Sequence, residues 1–155
     1  MEAISLSLRQ AFKHAPRPDD SELFDDYPNL HPEEEEHLQY LKGKSWKQID
    51  MHECGFAIMN LSVDGWRYFL PAYLLDTTSA WNDTGFYFGL REYWLCPTGQ
   101  HVKHSLERVS SLSRAEFDAG KEYVRFAKDC ADGEARSVWR NFWNQAAFGD
   151  FPEVV

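Results

Sequence analysis

At 155 residues, with 43% hydrophobic and 15% aromatic side chains, the chain has enough apolar material to bury one core without disulfides or a structural metal. That composition excludes persistent disorder, and no stretch reaches the roughly 18 consecutive apolar residues that a membrane span needs. A net charge of −9 without any basic stripe disfavours phosphate-backbone binding, and no nucleic-acid role is expected.

Taken in chain order, "ISLSLRQAF" sets Ile4, Leu8 and Phe12 at helical spacing, and Pro16 and Pro18 end that helix. The start is too polar for a signal peptide and carries Glu2 where one would carry basic residues, so the expected location is the cytoplasm. Residues 19–36 then form an acidic connection holding nine carboxylates and no Lys or Arg. Outside it acids and bases balance. Pro32 followed by Glu33, Glu34, Glu35 and Glu36 is a helix start, because proline suits the first turn and carboxylates face the positive end of the helix dipole. Leu38, Leu41 and Tyr40 are its expected buried side, and Gly43 its stop.

Between residues 44 and 61 the pattern is ambiguous. Trp46 and Ile49 suggest a helical turn, and "FAIMNL" reads equally as extended chain or buried coil. Ser62 is an expected N-cap, and Val63, Trp66, Phe69, Leu70, Tyr73 and Leu74 follow the spacing of one apolar face. Pro71 interrupts it. A proline inside a helix costs about 3 kcal/mol, so the expectation is one helix ending near Phe69 and a second with Pro71 in its first turn. "FYFGLREYWL" fits a strand or a buried helix, with a short β-hairpin around residues 84–95 as the strand form, and "CPTGQHVKHS" is expected to turn the chain. Ser113-x-x-Glu116 is a capping box opening a helix with Phe117, Gly120, Val124 and Ala127 on its apolar side. Ala135, Val138, Trp139, Phe142, Trp143 and Ala146 then make a last amphipathic helix, closed by Gly149 and Pro152. The expected fold is mainly α, a single helical domain over residues 1–155.

Candidate chemistry is sparse. Cys54, Cys96 and Cys130 are odd in number and far apart, which fits a reducing compartment better than a disulfide framework. Cys96-x4-His101-x2-His104, with His52-x-Cys54 as a second half, could supply four N and S ligands to zinc, though the spacing matches no common zinc pattern. His52-Glu53-Cys54 lacks the His-x-Glu and Pro-Cys-x-x-Cys elements of a zinc deaminase. There is no phosphate-binding glycine loop, no Gly-x-Ser-x-Gly elbow and no His-Glu-x-x-His. Trp66, Tyr73, Trp139 and Trp143 sit on expected buried faces and read as core.

In order along the chain, "LRQAFKHAPRPDD", "LKGKSWKQID", "LSVDGWRYFLPAYLLD" and "SLSRAEFDAGKEYVRFAKD" resemble a family of small uncharacterised bacterial proteins, a domain of unknown function. Its pattern centres on Leu-Ser-x-x-x-x-Arg-Tyr-x-Leu-Pro-Ala-Tyr-Leu, matched here by "RYFLPAYLL". The later helix departs from it, having Glu116 or Phe117 where the family has Gln. The resemblance implies a mostly helical domain from a bacterium and no assigned activity; it also favours Pro71 as a structural corner.

The sequence reading therefore leans to a non-enzymatic protein-binding module with no cofactor. Its narrower form is an immunity protein that neutralises a toxin through Asp25, Asp26, Glu33, Glu34, Glu35 and Glu36, set against a basic protein partner. The alternative is a small metal-binding protein or enzyme built on Cys54, Cys96, His101 and His104. Oligomeric state is not legible.

Overall fold

The computed structural model of the protein describes residues 2–50, 53, 57–79, 102–130 and 133–152. The fold is mainly α. Its helices are α1 (Glu2–Ala11), α2 (Pro32–Leu41), α3 (Val63–Ser79), α4 (Val102–Ser111), α5 (Arg114–Cys130) and α6 (Gly133–Val138), with 3-10 turns at Asp20–Glu22 and Ala57–Met59. Among the described residues, β structure is limited to two isolated bridges, Phe24 with Leu61 and Ala147 with Asp150. The β-hairpin reading around residues 84–95 lies outside the described residues.

α3 is the axis of the fold. Trp66, Tyr68, Phe69, Leu70, Ala72, Tyr73 and Leu74 are all buried, so the helix is covered nearly all round, as an interior helix must be. α1 and α4 pack against it, α5 packs on α1, and α6 folds back on α5. Ile4, Leu8 and Phe12 are buried on α1, and Leu38 and Leu41 on α2. Gly43 ends α2 with φ of 70°, a left-handed conformation that glycine adopts without strain.

Two expectations about helix boundaries are corrected. α3 runs without interruption through Pro71, where the sequence suggested a break. Pro71 has no N–H to give to the carbonyl of Arg67 and costs about 3 kcal/mol. Full burial of Trp66, Phe69, Leu70, Tyr73 and Leu74 is worth on the order of 10 kcal/mol, so packing outweighs the proline. The last four residues of the segment 96–105, expected to turn the chain, are helical, because α4 begins at Val102. Its inward face consists of Ser105, Arg108 and Val109, continued by Leu112 just past its end, all buried. The serine and arginine interrupt the apolar pattern that would have revealed it.

The C-terminal segment is helical as expected but changes pitch. After α6, Trp139–Trp143 is a π-helical stretch, and the Asn144 N–H donates to the Trp139 carbonyl at 2.8 Å, five residues back. The wider turn lets the adjacent Phe142 and Trp143 both bury. Trp143 lies over Gly120, where an added Cβ would meet its ring at 3.5 Å, and packs on Phe117 with ring centroids 5.1 Å apart.

Candidate interaction surface

Eight of the nine carboxylates of residues 19–36, all but Asp19, fall into two groups. One is structural. Asp20 pairs with Arg17 and accepts from the Gly43 N–H at 3.2 Å. The hydrogen bond from Arg17 is the main cause that holds the Asp20 carboxyl below its ordinary value, with burial opposing it and the Gly43 N–H adding to it. Arg17 itself donates to the carbonyls of Lys44 and Pro18, both at 2.9 Å, tying this turn to the end of α2. Glu22 accepts from the Asp19 N–H at 3.1 Å, and Glu34 from the His31 N–H at 2.8 Å. Glu34 thus closes the start of α2, with Pro32 at the first helical positions.

The other group points outward. Asp25, Asp26, Glu33, Glu35 and Glu36 are exposed, and among the described residues none forms an ion pair. Of the six residues that the sequence reading assigned to a partner, Glu34 has a structural side-chain hydrogen bond and the other five have none among the described residues and are on the surface.

Asp25 and Asp26 follow Phe24 at a corner where two distant segments meet. Phe24 bridges Leu61, the Ser62 N–H donates to the Leu23 carbonyl at 2.9 Å, and Ser62 Oγ donates to the Glu22 carbonyl at 2.6 Å. The same hydroxyl accepts from the Gly65 N–H at 3.1 Å, which makes Ser62 the N-cap of α3, as expected. Gly65 is required here, because a Cβ would lie 2.6 Å from the Leu23 carbonyl oxygen.

Behind the corner sits Arg108, 3% exposed. Its Nη2 donates to the carbonyls of Met59 at 3.1 Å and Leu61 at 2.7 Å, and its guanidinium lies 5.9 Å from the Trp66 ring centroid. Burial lowers its pKa to about 10, while the charge of Asp25 acts in the opposite direction. Arg108 Nε and Trp66 Nε1 are buried with no hydrogen-bond partner among the described residues. A second charged link ties α3 to α5. Arg67 donates to Glu116 through Nε at 2.9 Å and Nη2 at 3.3 Å, and Glu116 also accepts from the Ser113 N–H at 2.7 Å. The capping box expected at Ser113 is therefore present, with Arg67 added to it.

Of the residues in the metal reading, Cys54, Cys96 and His101 lie outside the described residues, as does His52. His104 is on α4, partly exposed, with Nδ1 3.9 Å from Glu107 Oε2. Among the described residues no group of three or more His, Cys, Asp or Glu could hold a metal ion, and no helix is long and apolar enough to cross a membrane.

A family model matches residues 2–147, which includes every element from α1 to the π-helical stretch. The chain belongs to DUF6714, a family of unknown function. The DUF6714 match takes in both sides of the corner at Phe24 and Leu61, the two arginines and the capping box. No curated protein and no solved structure matches the chain.

Arg67, Arg108, Tyr27 and Met59 escaped the sequence reading. Arg108 had one usable signal: Ser105, Arg108, Val109 and Leu112 follow three-and-four spacing, which would place an arginine on an inward face once 102–111 is taken as helix.

Proposed function

We propose that this DUF6714 protein is a non-enzymatic protein-binding module of the bacterial cytoplasm that meets a basic partner through its acidic surface. The narrower form is an immunity protein whose partner is a toxin domain. The observation that carries the reading is that Asp26, Glu33, Glu35 and Glu36 are exposed and outside any ion pair among the described residues, while Asp20, Glu22 and Glu34 in the same segment have structural partners. Unpaired surface carboxylates repel one another and raise association rates with a basic surface. Asp25 contributes to the same surface and also offsets the charge of Arg108 behind it.

The test compares two baits in lysate of the source organism: the tagged wild-type chain and a variant with Asp26→Asn, Glu33→Gln, Glu35→Gln and Glu36→Gln. Glu34 is kept so that α2 retains its start. A basic protein held by the wild type at low salt, released at high salt and recovered about tenfold less on the variant supports the reading. The same proteins on both baits, or retention indifferent to salt, overturns it.

A further inference from the structure

We infer that the corner where Phe24 pairs with Leu61 is the docking point for a basic protein segment, with Tyr27 and Met59 receiving an apolar side chain and Asp25 and Asp26 receiving the Lys or Arg residues that flank it. This deepens the protein-binding reading above and rests on it.

Three observations converge. First, Tyr27 and Met59 are 48% and 42% exposed, and they lie on the two segments that the bridge joins. The other large exposed apolar residues among those described are Leu6, alone on α1, and Phe148, which lies under Arg114 and against Phe117. Aromatic residues and methionine are enriched at interfaces because they give large contact area at small entropic cost.

Second, the exposed charge on the two segments joined at the corner is of one sign. Residues 18–41 and 48–66 contain no Lys or Arg, so both segments brought together here carry acids alone. Asp25 and Asp26 are exposed, one and two residues past the bridged Phe24. The cation set against this corner, Arg108, is buried and occupied with the carbonyls of Met59 and Leu61. A second copy of the chain would bring like charge against like; a segment with Lys or Arg beside an apolar residue fits both features.

Third, the corner is built before any partner arrives. Ser62 and Arg108 hold its main chain through four hydrogen bonds of 2.6 to 3.1 Å. Little conformational freedom remains to be lost on binding, and such preorganisation favours affinity.

The experiment places a photocrosslinking amino acid at Tyr27, at Met59 and, as control, at Leu6 in the full chain. After irradiation in the source organism, the joined peptides are identified by mass spectrometry, and the set is repeated with Asp26→Asn, a near-isosteric change at an exposed residue, with circular dichroism of the purified variant establishing that it is folded. The expected result is one partner joined from positions 27 and 59 but not from 6, at a peptide with Lys or Arg beside an apolar residue, its yield falling about fivefold with Asp26→Asn. Equal yield from position 6, joining to a second copy of the chain, or indifference to Asp26→Asn overturns the inference. If positions 27 and 59 join to nothing while capture still depends on Glu33, Glu35 and Glu36, this corner is refuted and the acidic-surface reading survives. If that capture also fails, both fall.

Discussion

Replacing Gly65 by alanine puts the contact between α3 and the Phe24 corner under direct strain. The new Cβ would stand 2.6 Å from the Leu23 carbonyl oxygen, a main-chain atom that cannot rotate away, so the chain at residues 22–24 must retreat from the start of α3. Forced overpacking costs about 1–3 kcal/mol. The bonds from Ser62 to the carbonyls of Leu23 and Glu22 would stretch with it, at roughly 0.5–1.5 kcal/mol each. Against this stands a gain of about 1 kcal/mol from alanine in place of glycine in a helix. The net expectation is a loss of about 2–4 kcal/mol, lowering Tm by roughly 5–15 °C for a chain of this size. Gly120→Ala supplies the control: it is also in a helix and buried, but its Cβ would meet the Trp143 ring at an ordinary 3.5 Å, so the same substitution should be neutral or raise stability by up to about 1 kcal/mol. Urea unfolding followed by circular dichroism measures both. If Gly65→Ala matches Gly120→Ala, the contact at Leu23 is not the tight one described and the corner is free to move.

Glu116→Ala removes both the capping bond to Ser113 and the pair with Arg67, and is expected to cost about 2–3 kcal/mol; Arg67 keeps some solvent access, which holds the loss below that of a fully buried pair. Glu116→Gln retains the cap and should recover about 1 kcal/mol of that in the same unfolding assay. Arg108→Met leaves the Leu61 carbonyl without its donor and weakens the hold on Met59, so a loss of about 2 kcal/mol is expected; equal or greater stability would show that the cost of burying the charge exceeds what its hydrogen bonds return. Because the Asp20 carboxyl is held below its ordinary value, its pairing stabilises the fold above the ordinary value of 3.8 and is lost as pH falls through the folded-state value. Solvent screening keeps the effect under about 1 kcal/mol. Asp20→Asn should therefore be measurably less stable at pH 7, and the gap should close in acid; a gap independent of pH would rule out the pairing with Arg17 as its source.

What the sequence made legible were the features set by neighbours a few residues apart. Pro32 with Glu34, Ser62 as N-cap, Gly43 as stop and Ser113 with Glu116 are local hydrogen-bonding devices, and each is found in place. The misjudged features were set by distant partners. Pro71 sits inside α3 because burial around the helix outweighs a local rule, and Arg108 faces inward because carbonyls some 47 to 49 residues away receive it. The outward carboxylates were legible as a group, but not which of them have structural work; that division depended on seeing Glu34 at the His31 N–H and Asp20 at Arg17. The corner at Phe24 and Leu61 joins residues 37 positions apart through a single bridge, too little repetition to leave a pattern.

The four hydrogen bonds that hold that corner all end on main-chain carbonyls. Ser62 and Arg108 grip the carbonyls at Glu22, Leu23, Met59 and Leu61, not their side chains. The outward positions 26, 27, 59 and 60 are therefore free to change identity without loosening the frame beneath them, much as recognition loops vary on a rigid scaffold. A library randomised at those four positions should yield mostly folded chains, whereas one randomised at Ser62 and Arg108 should not. If the corner is the docking point proposed above, the architecture separates the residues that build it from those that would set its specificity, and one DUF6714 frame could serve partners of different shape and charge.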